Sequence, residues 1–272
     1  MTTLPPFHLH GSGPAPVCVL HGGPGALGSA RGLALDIAAL GHSVFEPFGT
    51  GLSIEAQITD HLALIRERCA RPAVLVGHSW GALLALMLAA RALGAVSALI
   101  LVGCPPLSGG HGPRITTTRL ERLLPEKRAE FMKLAERLGV PGEQNADALM
   151  QRLGQVILGA DILDPLPGAL DAQDHVQVSF EVFRAIWAEA QDMRASGELS
   201  ELAARVRCPV AVIHGDYDPH PAGDVRESLE RVLPQCRFSL IKSCGHYPWL
   251  ERKARQDWLE CLNREVATAL NP

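Results

Sequence analysis

The sequence contains no C-x-x-C pair, although it has seven cysteines, at positions 18, 69, 104, 208, 236, 244 and 261. An odd, scattered set suits neither a disulfide framework nor a structural zinc site, so the thiols are expected to be reduced. Some, such as Cys18 in an apolar stretch, are expected simply to fill the core. The eleven histidines include no H-E-x-x-H or comparable spacing, and no metal is expected. The longest wholly apolar run, residues 82–90, is far too short to cross a bilayer. Residues 1–13 lack a basic segment followed by an apolar one, so no secretory signal is expected and the expected location is the cytoplasm. The net charge of −4 gives no overall basic character to draw the chain to nucleic acid or anionic lipid. Internal repeats and low-complexity tracts are also absent.

What is present is a chain of 272 residues, 47% of them hydrophobic, enough for one sizeable domain or one domain with an inserted module. Short apolar strands are predicted at 16–20, 43–45, 73–76, 96–102, 210–213 and 238–241. Helical patterns alternate with them. Leu33, Ile37 and Leu40 share a face before Gly41, and Ile58, Leu62 and Ile65 share one within 54–68. Trp258, Leu262, Val266 and Leu270 recur every four residues near the end. Such alternation predicts a mostly parallel sheet with helices on both faces.

The alternation breaks at Gly103-Cys104-Pro105-Pro106, and the pattern is helical from there to about residue 196. Phe131, Leu134, Ala135 and Leu138 lie on one face between Pro125 and Gly139. Asn145 is a candidate cap for a second predicted helix with Leu149, Leu153 and Val156, and a third is expected to carry Phe180, Phe183 and Trp187. Amphipathic spacing means that each packs on something. Residues 1–104 and 197–272 are therefore predicted to form one sheet domain, and 105–196 a helical cap. An insertion there would cover the carboxyl ends of the strands, where open α/β sheets bind ligands.

Gly77-His78-Ser79-Trp80-Gly81 reads G-x-S-x-G between a predicted buried strand and a predicted buried helix. That is the pattern of a nucleophile elbow, a tight turn that lifts a serine hydroxyl above the sheet edge. Serine becomes a useful nucleophile only when a base takes its proton and a carboxylate orients the base. Both partners are available downstream. His214-Gly215-Asp216-Tyr217-Asp218-Pro219 follows one strand, and His246, in Cys244-Gly245-His246-Tyr247-Pro248-Trp249, follows the last. Asp218 and Asp216 are candidate acids, with Asp224 a more distant one, and His220 lies too near Asp218 in sequence to be the better base. The backbone N–H of Trp80, the residue after the serine, is a candidate oxyanion donor.

Together with His21-Gly22-Gly23-Pro24-Gly25, these motifs resemble the α/β-hydrolase superfamily, over the whole chain outside the insertion. The nearest local likeness is to its proline iminopeptidase-like branch. The resemblance implies an α/β-hydrolase fold with an inserted helical cap. It implies Asp218, in the G-x-x-D pattern from Gly215, as the acid, His246 as the base and Gly23 as the second oxyanion donor. His21 and His78 are read as structural. Two departures stand out. Glu46-Pro47-Phe48-Gly49-Thr50-Gly51-Leu52-Ser53 occupies the place of D-x-R-G-x-G-x-S, with glutamate for aspartate and Phe48 for arginine. Only residues 7–10 stand for the family's longer amino-terminal hairpin, so the first strand is expected to be missing.

The function expected is a serine hydrolase acting through an acyl-enzyme on an ester, thioester or amide, with a small acyl ester or thioester preferred. Phe180, Phe183 and Trp187 are available to wall its pocket. A proline iminopeptidase would need carboxylates for a substrate ammonium. Glu181, Glu189 and Asp192 are available, and Ile186-Trp187-Ala188-Glu189 is similar to the family's Trp-Glu element. A lyase or transferase using the same triad, or a non-catalytic ligand-binding protein, are further alternatives, because a fold does not fix a function. The expected partner is a small-molecule substrate, without cofactor, metal, nucleic acid or membrane.

Overall fold

In the computed structural model, residues 7–170 and 176–271 are described; residues 1–6, 171–175 and 272 lie outside the described residues. Parts of the amino-terminal stretch and of the expected helical cap thus fall outside them.

The strands are β1 (Phe7–His10), β2 (Ala15–Leu20), β3 (Ala26–Leu27), β4 (Val44–Pro47), β5 (Cys69–His78), β6 (Val96–Val102), β7 (Gln177–Val178), β8 (Val210–Gly215) and β9 (Arg237–Ile241). Among the described residues seven form one sheet in the order β1-β4-β2-β5-β6-β8-β9. Every pairing in it is parallel except that of β1 with β4 at one edge. Among the described residues β1 is the one strand that stands where the family has a longer hairpin, and the expectation that the first strand is missing falls partly on residues 1–6, outside the described residues. Runs such as Val74-Leu75-Val76 are apolar on both faces because helices cover both sides of a parallel sheet.

The helices are α1 (Arg31–Ala39), α2 (Ile54–Arg68), α3 (Trp80–Arg91), α4 (Gly112–Arg122), α5 (Pro125–Leu138), α6 (Ala146–Asp161), α7 (Phe180–Ser196), α8 (Glu198–Ala203), α9 (Ala222–Glu230) and α10 (Arg255–Leu270). Helices α1 and α10 place Leu33, Ile37, Trp258 and Leu262 against Val17, Val74 and Ile100 on one face. On the other face Leu83, Leu86, Ile58 and Val225 pack with Leu75 and Leu99. Burying side chains of this size typically contributes about 1.5–3 kcal/mol each.

Helices α4 to α7 lie between β6 and β8 in the chain. Leu123, Leu134, Leu149, Leu153 and Val156 form a separate cluster among α4, α5 and α6. Helix α4 has no fully buried residue, and its Gly-Pro-Arg-Ile-Thr-Thr-Thr start offers no apolar stripe to announce it. In α7 the residues buried in the core are Val182, Ile186, Ala190 and Met193. The aromatic stripe Phe180, Phe183 and Trp187 lies outside that core face. The sequence pattern singled out the aromatics because they are large, but the aliphatic residues occupy the core-facing side. Asn145 precedes α6 without capping it through its side chain, whereas Ser179 does cap α7 by accepting from the N–H of Val182.

The carboxyl ends of the parallel strands β2, β5, β8 and β9 lie along one edge of this sheet, with β6 between β5 and β8. The loops after them carry Gly23, Ser79, Asp218 and His246.

Candidate active site

Ser79 stands between β5 and α3 with φ 53° and ψ −115°, a conformation that L-residues rarely adopt. It costs on the order of 1–3 kcal/mol and persists only where the surroundings enforce it. The N–H of Ser79 donates to the carbonyl of Val102 at 2.9 Å, tying the turn to the neighbouring strand. Both flanking glycines are required by close approach. A Cβ on Gly77 would lie 2.2 Å from the carbonyl oxygen of Gly81, and one on Gly81 would lie 2.2 Å from that of Leu20.

Asp218 follows β8, with 6% of its surface exposed. Its Oδ2 accepts the Nδ1–H of His246 at 2.6 Å. Its Oδ1 accepts the backbone N–H and the Nδ1–H of His220, each at 2.8 Å. Burial acts to raise the Asp218 carboxyl, but His246, His214 and His220 around it hold it well below the usual carboxylate range. The bond occupies Nδ1 of His246 and leaves Nε2 as the ring nitrogen not bonded to Asp218. His220 is a different case. Burial outweighs the attraction of Asp218 and lowers its pKa to about 4, so the ring is neutral near pH 7.

The other two carboxylates that sequence left open lie elsewhere. Asp216 reaches Lys242 at 3.6 Å and the N–H of Cys244 at 3.4 Å. Asp224 pairs with Arg114 at 3.0 Å and His111 at 3.2 Å.

The remaining histidines have structural partners. His78 donates from Nε2 to the carbonyl of His246 at 2.9 Å, with its ring against those of His246, Tyr247 and Trp249. Burial holds its pKa well below the usual value. His21 donates from Nδ1 to the carbonyl of Gly22 and accepts at Nε2 from the N–H of Gly49. The buried thiol of Cys104, directly after Gly103, is pushed up to about 12 and is therefore no nucleophile near neutral pH.

Ser79, Trp80, Gly23, His220 and His246 line one cavity of about 540 Å³. Trp80 is the first residue of α3, where a backbone N–H has no acceptor within the helix. Gly23 has φ 50° in the facing loop. The aromatic stripe of α7 lines the same space, its rings stacked at 6.2 Å and 5.7 Å between centroids. No aspartate or glutamate is among the described residues that line it. Glu181 and Asp192 are exposed. The Oε2 of Glu189 accepts the N–H of Ile54 at 2.8 Å, serving the start of α2.

Among the described residues two groups of side chains have metal-ligating atoms within 4.8 Å of one another: Asp218, His220 and His246, and, on β1 and β4, His8, His10 and Glu46. In the first group the donors already pair with one another.

Sequence reasoning passed over three parts of this site. The pairing of His220 with Asp218 was visible as Asp218-Pro219-His220, an Asx-turn pattern in which a side-chain oxygen meets the N–H two residues on. The Arg119–Asp161 pair, bidentate at 2.8 Å and 2.7 Å, joins positions too far apart to suggest each other. Glu251, fully buried, reads in sequence as an ordinary surface charge.

The description "Alpha/beta hydrolase family" fits residues 7–256. Proline iminopeptidase of Heyndrickxia coagulans is 23% identical over 90% of this chain and 88% of its own. Bifunctional epoxide hydrolase 2 of Rattus norvegicus is 20% identical over 98% of this chain, which spans 55% of that protein's length. Among solved structures, one from work on carboxylesterases of the thaumarchaeon Nitrososphaera gargenis superposes with a TM-score of 0.64. It is 15% identical and covers 97% of this chain and 94% of its own. The elbow, the sheet order and these likenesses agree: the chain belongs to the alpha/beta hydrolase family.

Proposed function

We propose that this protein is a serine hydrolase that cleaves an ester, thioester or amide of a small acyl substrate through an acyl-enzyme. The observation that carries the reading is that Ser79, at a strained elbow, shares one cavity with His246, whose Nδ1 is 2.6 Å from the buried Asp218 carboxylate. In this mechanism the Nε2 of His246 takes the proton of the Ser79 hydroxyl as the oxygen attacks the carbonyl carbon. The oxyanion forms between the N–H groups of Gly23 and Trp80. Collapse expels the leaving group, which takes the proton from Nε2 and leaves an acyl-serine. Water, deprotonated by the same nitrogen, then attacks the acyl-serine and releases the acid. One oxyanion donor typically contributes about 100- to 1000-fold in rate.

Residues 105–196 act as the cap in this reading, since α5, α6 and α7 supply lining residues above the sheet edge. The lining favours acyl substrates over an aminopeptidase's. Among the described residues an ammonium group would find no carboxylate there, and Glu189 is already engaged.

Labelling with a fluorophosphonate probe tests the assignment. Wild type is expected to label and Ser79→Ala not to. Failure of the wild type under conditions that label a known serine hydrolase would reject a serine nucleophile.

A further inference from the structure

Two arginines line the cavity, and they differ in how their charge is balanced. Arg119 is neutralised by Asp161, which is fully buried and receives both its Nε–H and an Nη2–H. Arg194, on α7, is only 8% exposed. Its Nη1 donates to the Oε1 of Gln191 at 3.3 Å, and its Cζ lies 5.6 Å from the centre of the Trp187 ring. Among the described residues no carboxylate comes within 4.0 Å of it. Burial lowers its pKa, opposed only by the Cys104 thiol.

A buried guanidinium without a counter-charge is costly, and native proteins rarely keep one that nothing compensates. An arginine also carries five N–H donors in a planar fork that matches a carboxylate bidentately. Only one of those donors, to Gln191, has an acceptor among the described residues. The rest of the lining is mostly apolar, with Leu153, Ile157 and Phe183 as examples. Among the described residues the wall therefore combines surfaces for a short hydrocarbon chain with one surplus positive charge.

We infer that Arg194 binds a carboxylate carried by the substrate, so that the cavity takes a short, acid-bearing ester, thioester or amide. The inference rests on the serine hydrolase reading for its reaction, but not for the anion site itself. Arg194 is a specificity residue and takes no part in bond making.

The test compares matched pairs of esters. One series is the p-nitrophenyl esters of ω-carboxyalkanoic acids of four to eight carbons, set against alkanoic esters of equal length. A second places the carboxylate on the leaving side, as 4-acyloxybenzoates against the corresponding phenyl esters. Wild type is expected to favour the acidic member of at least one series by about 10- to 100-fold in kcat/KM, mainly through KM. That ratio should collapse towards one in Arg194→Met and be intermediate in Arg194→Lys, which keeps the charge and loses the fork. Thermal melts verify folding, and the Lys variant decides where the Met variant is unfolded. Hydrolysis of the neutral esters without any preference for the acidic ones, or a preference that survives both substitutions, overturns the inference and leaves the hydrolase reading standing. Calorimetric titration with glutarate and adipate separates the two. Arg194-dependent binding by a protein that hydrolyses none of the esters keeps the anion site and rejects the hydrolase reading. Absence of both binding and acid preference rejects the site.

Discussion

The backbone N–H of His246 donates to the carbonyl oxygen of Asp161 at 2.7 Å, so the loop bearing the imidazole hangs from the last residue of α6. The same junction is held by Glu251. One of its oxygens accepts the N–H groups of Leu163 at 2.8 Å and Gly245 at 2.7 Å, and the other accepts that of Asp164 at 2.8 Å. A buried carboxylate satisfied by backbone N–H groups fixes those segments relative to each other. In Glu251→Gln one oxygen becomes an NH₂ that must face at least one of these donors. The expected loss is about 1–3 kcal/mol in urea unfolding, with a fall in ester hydrolysis because the His246 loop loosens. Unchanged stability would show that the junction does not depend on this charge.

Ser79 yields a second prediction, because its strain belongs to the backbone rather than to the hydroxyl. Ser79→Ala keeps the φ of 53° with a Cβ in place, whereas Ser79→Gly removes the side chain that resists it. Glycine normally costs about 0.5–1 kcal/mol through the unfolded chain, so it would ordinarily be the less stable variant. Here the glycine protein is expected to be at least as stable as the alanine protein in denaturant titrations. Both should lose hydrolysis by on the order of 10⁴- to 10⁶-fold. A glycine variant clearly weaker than the alanine one would mean that the turn is unstrained.

Much of this was legible beforehand, for identifiable reasons. The helix over 54–68 and the strand over 96–102 announce themselves through periodicity and length, and the elbow through two glycines that the structure shows to be sterically compulsory. Asp218 could be ranked above Asp216 by likeness to a family, but the residues alone left both in play, since each follows the same strand. The segment between β6 and β8 was legible as helices and not as a surface. Which face of α7 meets the core depends on what α2 and α3 present to it, and no local pattern records that. Nothing in the sequence singles out Arg194, which the structure shows to be buried and, among the described residues, without an acidic partner.

A third prediction concerns acid. His61 is almost wholly buried and donates from Nδ1 to the carbonyl of Gln57 at 2.7 Å, and burial lowers its pKa to about 4. His220 is lowered to about 4 likewise. In the unfolded chain both would titrate near 6.5. Between about pH 6.5 and 4 the unfolded chain therefore binds protons that the folded protein refuses, so stability falls as pH is lowered through that window. Each histidine contributes on the order of 1.4 kcal/mol per pH unit there and nothing more below its folded value. Asp218, depressed instead, adds its own loss only as pH drops below the ordinary carboxylate range. Urea unfolding at pH 7.5, 6 and 5 should show a shallower decline for His61→Gln than for wild type. Parallel declines would mean that this imidazole is protonated in the folded state after all.

Gly103 gives the most selective test of the pairing between His246 and Asp218. It follows β6 with φ 55°, and its N–H donates to the carbonyl of Ile213 at 3.0 Å. A Cβ there would lie 2.9 Å from Nδ1 of His246 and 3.2 Å from Oδ2 of Asp218, directly beside their hydrogen bond. Gly103→Ala must therefore both hold a left-handed conformation, at about 1–2 kcal/mol, and displace the imidazole. Gly94→Ala separates the two effects, because Gly94 has φ 83° with nothing within 4 Å of its would-be Cβ. Both variants should lose stability in thermal melts, Gly103→Ala at least as much as Gly94→Ala. Only Gly103→Ala should lose activity, by on the order of 100-fold, the usual consequence of moving a reacting group by about 1 Å. Equal activity in the two variants would mean that the 2.6 Å contact between His246 and Asp218 does not limit the reaction.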